Sequence, residues 1–220
     1  MKNDETLSRQ FELLLADYKA AHESKNISKD EVEAWAFRFV EFGEANLTDQ
    51  AGLDALIWVT RMNRRSWGFK NANDRAASLL FDHHRDRKET AAAVFEMRTS
   101  RSPKALDNLR RFMTSKNDNL RGLAAFALGW RLKNSKNEEE VAEAVDCLER
   151  VITNHPTLVA TKSGQELSVP DLAKRTRFEI QNLQVGMEAP ETKGVLLCGG
   201  ELQLSDHVGQ VVMLSFWGDG

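Results

Sequence analysis

The sequence predicts a mainly α protein that turns to β character only near its end. Two observations carry this. Apolar residues recur at steps of three and four through the first 184 positions, the spacing of one face of a 3.6-residue helix. From Val185 the pattern gives way to short apolar runs separated by glycines. The predicted organisation is an all-helical region of antiparallel helical hairpins, residues 1–184, followed by a partial α/β segment, residues 185–220.

The helical elements follow in order. Leu7, Phe11, Leu14, Leu15 and Tyr18 share one face of the first. Ser28 caps the second, Glu31 completes a capping box three residues on, and Ile27 is placed to staple onto Val32. Its inward stripe is Val32, Trp35, Ala36, Phe39 and Val40. A third helix begins near Thr48 or Asp49 and carries Leu53, Leu56, Ile57 and Trp58. A fourth follows Asn73, with Ala76, Leu79 and Leu80 inward, and a short alanine-rich helix spans Ala91 to Met97. Ser102-Pro103 then supplies a cap and a proline at the first helical position, where its missing N–H costs nothing. That helix packs Leu106, Leu109, Phe112 and Met113.

Two strong helices come next. One carries Leu120, Leu123, Ala124, Ala127 and Leu128. The other opens with a capping box at Asn137-Glu138-Glu139-Glu140 and buries Val141, Ala144, Val145, Leu148, Val151 and Ile152. After a loop around Pro156 and Gly164, Ser168-Val169-Pro170-Asp171 starts a last helix through Leu172, Ile180 and Leu183. Short connections make antiparallel neighbours the natural arrangement. Ala55-Leu56-Ile57-Trp58 returns as Ala127-Leu128-Gly129-Trp130, 72 residues later. That is near twice the ~34-residue tetratricopeptide period, so the alternatives are a helical-hairpin array of that kind and an irregular bundle.

Composition narrows the classes. A net charge of -3 gives no reason to expect a nucleic-acid or acidic-membrane partner. No stretch approaches the ~20 apolar residues that span a bilayer. Met1-Lys2-Asn3-Asp4-Glu5 lacks the apolar core of a secretory signal, so the expected location is cytoplasmic, or extracytoplasmic if the true start lies upstream. Cys147 and Cys198 are too few and too far apart for a disulfide framework or a metal set.

In the tail, Val195-Leu196-Leu197 and Leu202-Gln203-Leu204 flank Cys198-Gly199-Gly200-Glu201 and read as a β-hairpin. Ser205-Asp206-His207 offers a cap for one helical turn closed by Gly209. Val211-Val212-Met213-Leu214-Ser215-Phe216 reads as a strand buried on both faces at the centre of a sheet. Val185-Gly186, Ala189-Pro190, Leu204-Ser205-Asp206, Gly209, Val211-Val212 and Phe216-Trp217, in this order and spacing, resemble the start of the redoxin superfamily of thioredoxin fold. That superfamily holds the TlpA/ResA-like thiol–disulfide oxidoreductases and the peroxiredoxins (the AhpC/TSA group). In the oxidoreductase branch Phe-Trp is followed by two residues and then Trp-Cys-x-x-Cys. The resemblance therefore puts Gly220 at the second Trp, the first cysteine at position 221, and no catalytic residue within the chain. The helical part, through Gly122-Leu123-Ala124-Ala125-Phe126-Ala127-Leu128, is similar to the extension found before such domains in planctomycete-type bacterial proteins.

Other chemistry is weakly signalled. Cys198 stands alone in a turn, and Cys147 flanks a helix stripe as a small buried hydrophobe. Asp82-His83-His84 with Asp86 offers metal-ligand types, but adjacent helical histidines point about 100° apart, which favours a helix end with one half-buried imidazole. Arg61, Arg64, Arg65, Lys70 and Arg75 with Trp67 and Phe69 suggest a nucleic-acid patch; Asp74, Asp82 and Asp86 interrupt it and favour a solvated face. Asn26-Ile27-Ser28 and Asn46-Leu47-Thr48 match glycosylation sequons, yet Ser28 and Thr48 fall at helix caps. No cofactor or metal is expected. The resemblance implies a thiol–disulfide oxidoreductase or peroxiredoxin-like antioxidant family, the chain as given being inactive. The rival is a non-catalytic helical-repeat module that binds a protein partner, with the β segment as remnant or docking strand. Val211–Phe216 is also a candidate surface for self-association.

Overall fold

The structure, a computed structural model, describes residues 2–23, 27–62, 70–100, 102 and 104–215. They fall into two compact units, Met1–Ile180 and Gln181–Gly220. The larger is mainly helical: α1 (Lys2–Glu23), α2 (Lys29–Ala45), α3 (Gln50–Met62), α4 (Lys70–His84), α5 (Ala91–Glu96), α6 (Ala105–Phe112), α7 (Asp118–Leu132), α8 (Glu138–Asn154) and α9 (Val169–Asn182, which runs on into the second unit). Short 3-10 turns, Lys88–Thr90 and Met97–Thr99, flank α5.

The capping box at α2 is present, with Ser28 Oγ accepting from the Glu31 amide at 3.2 Å and Glu31 Oε2 accepting from the Ser28 amide at 2.8 Å. Asn137 caps α8 by accepting from the Glu139 amide at 2.9 Å. Glu140 does not close the box, because its carboxylate accepts from the Ser135 hydroxyl. The third helix begins at Gln50, beside the expected Asp49, but the Thr48 cap and the start after Asn73 differ from expectation. Thr48 donates to its neighbour Asp49 at 3.5 Å and is no cap for α3; Asn46 terminates α2 instead, its side chain donating to the Phe42 carbonyl at 2.8 Å. Asn73 lies inside α4, buried, and donates to the Val59 and Thr60 carbonyls, both at 3.3 Å. It thus closes the end of α3. The α4 amides of Asn71 and Ala72 are met by Glu33 from α2, each at 3.1 Å. Ser102 holds the Lys104 amide at 3.0 Å one residue before α6; Pro103 lies outside the described residues.

Packing alternates. α1 meets α3, α3 meets α5 and α5 meets α7, while α2 meets α4 and α4 meets α6; α2–α3, α3–α4, α6–α7 and α7–α8 join the two rows. Aromatic rings mark these contacts. Phe81 of α4 meets Phe112 of α6 edge-on at 5.3 Å, and Phe95 of α5 stacks on Phe126 of α7 at 5.8 Å. Tyr18 of α1 meets Trp58 of α3 at 5.0 Å, and Phe39 of α2 stacks on the same indole at 4.0 Å. The even row is laced by ion pairs: Arg75–Glu44, Arg111–Asp82, and Arg110 gripping Glu143 of α8 with two hydrogen bonds, 2.9 and 2.7 Å. Such exposed pairs each contribute little, on the order of 0–1 kcal/mol. The stability lies in the core, whose members run from Tyr18 to Ile180.

The first unit is not all-helical. Between α8 and α9 lies an antiparallel hairpin, β1 (Val159–Lys162) and β2 (Gln165–Ser168), with Ala160 opposite Leu167. Val159 and Thr161 face out while Ala160 is buried, so four residues suffice for a strand that packs on α5. The two-residue turn uses Ser163 at φ 52° and Gly164 at φ 80°. Both values are positive, as the right-handed twist of a tight hairpin demands.

The second unit carries β3 (Lys193–Val195) paired antiparallel with β4 (Glu201–Gln203), then a 3-10 turn, Leu204–His207. The hairpin is shorter than expected, and Leu196 and Leu197 fall in its turn. Glu191, not Ser205, anchors the helical turn: its carboxylate accepts from the Leu204 amide at 2.9 Å and the Ser205 amide at 3.3 Å. Gly209 follows at φ 86°. Residues 211–215 form no strand, and Val211 and Met213 are over nine-tenths exposed; Phe216 lies outside the described residues. A run of strand formers becomes a strand only when another backbone pairs with it. Among the described residues none does.

Candidate functional site

On the side of α1, α3 and α5, the larger unit has a cavity of about 580 Å³. Along α3, Asp54, Trp58 and Arg61 follow at four and three residues and so lie on one stripe. Trp58, Phe11, Leu15, Ile57 and Met62 give the cavity an apolar floor. Its rim is polar: Asp54 and Arg61 from α3, Glu96 from α5, and Lys162 and Ser163 from the tip of the β1–β2 hairpin. A second depression of about 200 Å³ shares Lys162 and is lined by Arg98, Phe126, Trp130 and Arg175. Cavities of this size class hold small ligands or parts of larger ones.

Charges in the wall are arranged unevenly. The Arg98 side chain is buried, its guanidinium 3.7 Å from the centre of the Phe95 ring, donating to the Phe95 carbonyl at 2.7 Å and lying 3.5 Å from the Glu96 carboxylate. Asp54 accepts from Gln50 Nε2 at 2.8 Å. The described lining residues of the larger cavity include neither cysteine nor histidine.

The thiols lie elsewhere. Cys147 is buried on α8, and burial, helped by Glu143 and Asp146, pushes its thiol up to about 12. At neutral pH it carries almost no thiolate, the nucleophilic form. Cys198 is exposed in the β3–β4 turn. The two fall in different units.

The histidine cluster does not assemble. Asp82 pairs with Arg111, and Asp86 accepts from the Ser115 hydroxyl at 3.0 Å and the Lys116 amide at 2.7 Å. His84 is buried at the end of α4, deeper than a half-buried position, and its Nε2 has no hydrogen-bond partner among the described residues. No group of three metal-ligand side chains occurs among the described residues. Burial holds the His84 pKa below its usual 6.5, with Arg87 and His83 adding to the effect. The unfolded chain therefore binds the proton more readily, and stability falls as pH drops from about 6.5 through the lowered folded value. Urea unfolding at pH 7.5 and pH 5.5 should show a loss that His84→Asn largely removes; an equal loss in the variant assigns it to other groups.

Of the basic stretch, Arg64, Arg65, Trp67 and Phe69 lie outside the described residues, as does the side chain of Lys70. Arg75 is spent on Glu44, and Arg61 belongs to the cavity. Of the sequon residues, Asn46 is occupied as the end of α2, and Asn26 lies outside the described residues. Among the described residues no helix is long and apolar enough to cross a membrane. Sequence reading missed the cavity itself, because Lys162 sits in what read as a loop and Arg98 follows the short alanine-rich helix. The one available signal was the Asp54, Trp58, Arg61 stripe. Comparison with known proteins found no matching family model, curated protein or solved structure.

Proposed function

We propose that residues 1–184 are a partner-binding helical module and residues 185–220 the opening of a redoxin domain. The chain is then a member or fragment of a thiol–disulfide oxidoreductase or peroxiredoxin-like antioxidant family, in which these 220 residues bind rather than react. The observation that carries this is the state of the thiols: Cys147 is sealed in the core with its pKa raised to about 12, and Cys198 sits in a turn of the other unit. Thiol exchange needs an activated thiolate and a nearby resolving cysteine. The resemblance puts both beyond Gly220. The order of the tail's elements, a hairpin, one helical turn closed by Gly209 and an apolar run, supports the redoxin reading.

A helical-hairpin array, tetratricopeptide-like in kind, is supported by the two alternating rows and by the repeated tetrapeptides falling in α3 and α7, both of the odd row. Its odd helices start unevenly, at Gln50, Ala91 and Asp118, so the period is irregular. The trough between α1, α3 and the hairpin tip favours a second reading, a non-catalytic interaction module with a β-tail. Insulin-reduction and peroxide-consumption assays on the purified chain should give no turnover. Turnover abolished by Cys198→Ser overturns the assignment of that cysteine. The exposed run Val211–Leu214 is a template for pairing with a second copy. Light scattering should then show association that disappears in a chain ending at Leu183; a full chain that stays monomeric argues for a docking strand.

A further inference from the structure

We infer that the smaller depression, bordered by α5, α7, α9 and the β1–β2 hairpin, binds a small carboxylate with an apolar body, its charge held by Lys162 and Arg175 beside Arg98. This goes beyond the partner-binding reading above and does not rest on it.

Several elements converge on the depression. Phe126 and Trp130 lie one turn apart on α7, and Lys162 comes from β1. Along α9, Leu172, Arg175 and Glu179 follow at helical spacing and so share a face. Arg98 completes the wall with a side chain more than nine-tenths buried.

Charge selects an anion. Three cations, Arg98, Lys162 and Arg175, line the depression against one carboxylate, Glu179. Glu179 is matched by Lys133 at 2.6 Å, and Arg98 by Glu96 at 3.5 Å. Lys162 and Arg175 enter no salt bridge among the described residues, which leaves two positive charges. Lys162 also borders the larger cavity, but there Asp54 and Arg61 cancel in the count. A chain of net charge -3 thus keeps a local positive excess at this depression, and an anion answers it.

Size and lining select the kind of anion. At about 200 Å³ the depression is smaller than the roughly 300–1,000 Å³ of sites for drug-sized ligands, so it suits a small acid and not a nucleotide. Phe126, Trp130 and Leu172 offer apolar surface beside the cations, which a bare inorganic anion would leave unused.

Ligand-detected NMR titration of the full chain with phenylacetate tests this, at about 50 mM salt because salt screens exposed charges. The comparison probes are phenylacetamide, which lacks the charge, and inorganic phosphate, which lacks the apolar body. Phenylacetate should bind with a dissociation constant of about 1 mM, in keeping with so few atoms, and roughly fivefold or more tightly than either comparison probe. Lys162→Gln and Arg175→Gln should each weaken it by about threefold, the yield of a partly exposed ion pair. Lys174→Gln, which removes a neighbouring charge on α9 that pairs with Asp171, should leave it unchanged. Circular dichroism checks that each variant keeps its helices. Absence of binding at about 10 mM, equal binding of phenylacetamide or of phosphate, indifference to both Lys162→Gln and Arg175→Gln, or an equal loss in Lys174→Gln overturns the inference.

Discussion

Phe39→Ala should lower the unfolding free energy by about 3–5 kcal/mol, the range for emptying a large aromatic site in a core. Phe39 has no exposed surface and stands where three helices meet. Its ring stacks on Trp58 at 4.0 Å and receives Phe11 and Tyr18 edge-on, each at 6.2 Å. No neighbour is free to collapse into the space, since Trp58 and Tyr18 are also held against each other. Phe39→Leu should cost less, about 1.5 kcal/mol, because most of the volume remains. Urea unfolding followed by circular dichroism measures both. A loss under about 1 kcal/mol for the alanine variant would mean that this cluster is loosely packed, against the close packing typical of protein interiors.

Gly52→Ala should destabilise by about 3 kcal/mol, against the sign of helix propensity, which alone favours alanine over glycine by roughly 1 kcal/mol. A Cβ at Gly52 would lie 2.0 Å from the carbonyl oxygen of Asn46. That oxygen is backbone and already accepts from the Asp49 amide at 3.1 Å, while the Asn46 side chain is bound to Phe42. The turn between α2 and α3 cannot retreat without breaking both. A stabilised Gly52→Ala protein would show that the turn is more yielding than this packing implies.

What was legible in the sequence was what is local. The box at Ser28 and Glu31 closes over three residues, and the stripe from Val32 to Val40 repeats at helical spacing, so both were readable from the chain alone. Asn73 was misread as a helix boundary because its partners, the Val59 and Thr60 carbonyls, are more than a turn away in another helix. Glu33 likewise serves α4 across 38 residues, which no pattern along the chain announces. The β1–β2 hairpin escaped because each strand has only four residues and its turn puts serine ahead of Gly164, where asparagine, aspartate or glycine is the usual signal. The apolar run from Val211 was read as a strand on composition, yet pairing is what makes a strand. The candidate site was the least legible part. Arg61 was seen only as one of a basic group, and Lys162 meets its cavity through the unexpected hairpin.

The helical unit should fold as a self-contained module. The core's members end at Ile180, and no residue from 181 to 215 is buried. Thermal unfolding by far-ultraviolet circular dichroism, compared between the full chain and a chain ending at Leu183, tests this most directly. The shortened chain should keep its helical spectrum and melt in one cooperative transition at the same midpoint. A broad, non-cooperative melt, or a midpoint lowered by several degrees, would contradict the account by showing that the helices need the tail to fold.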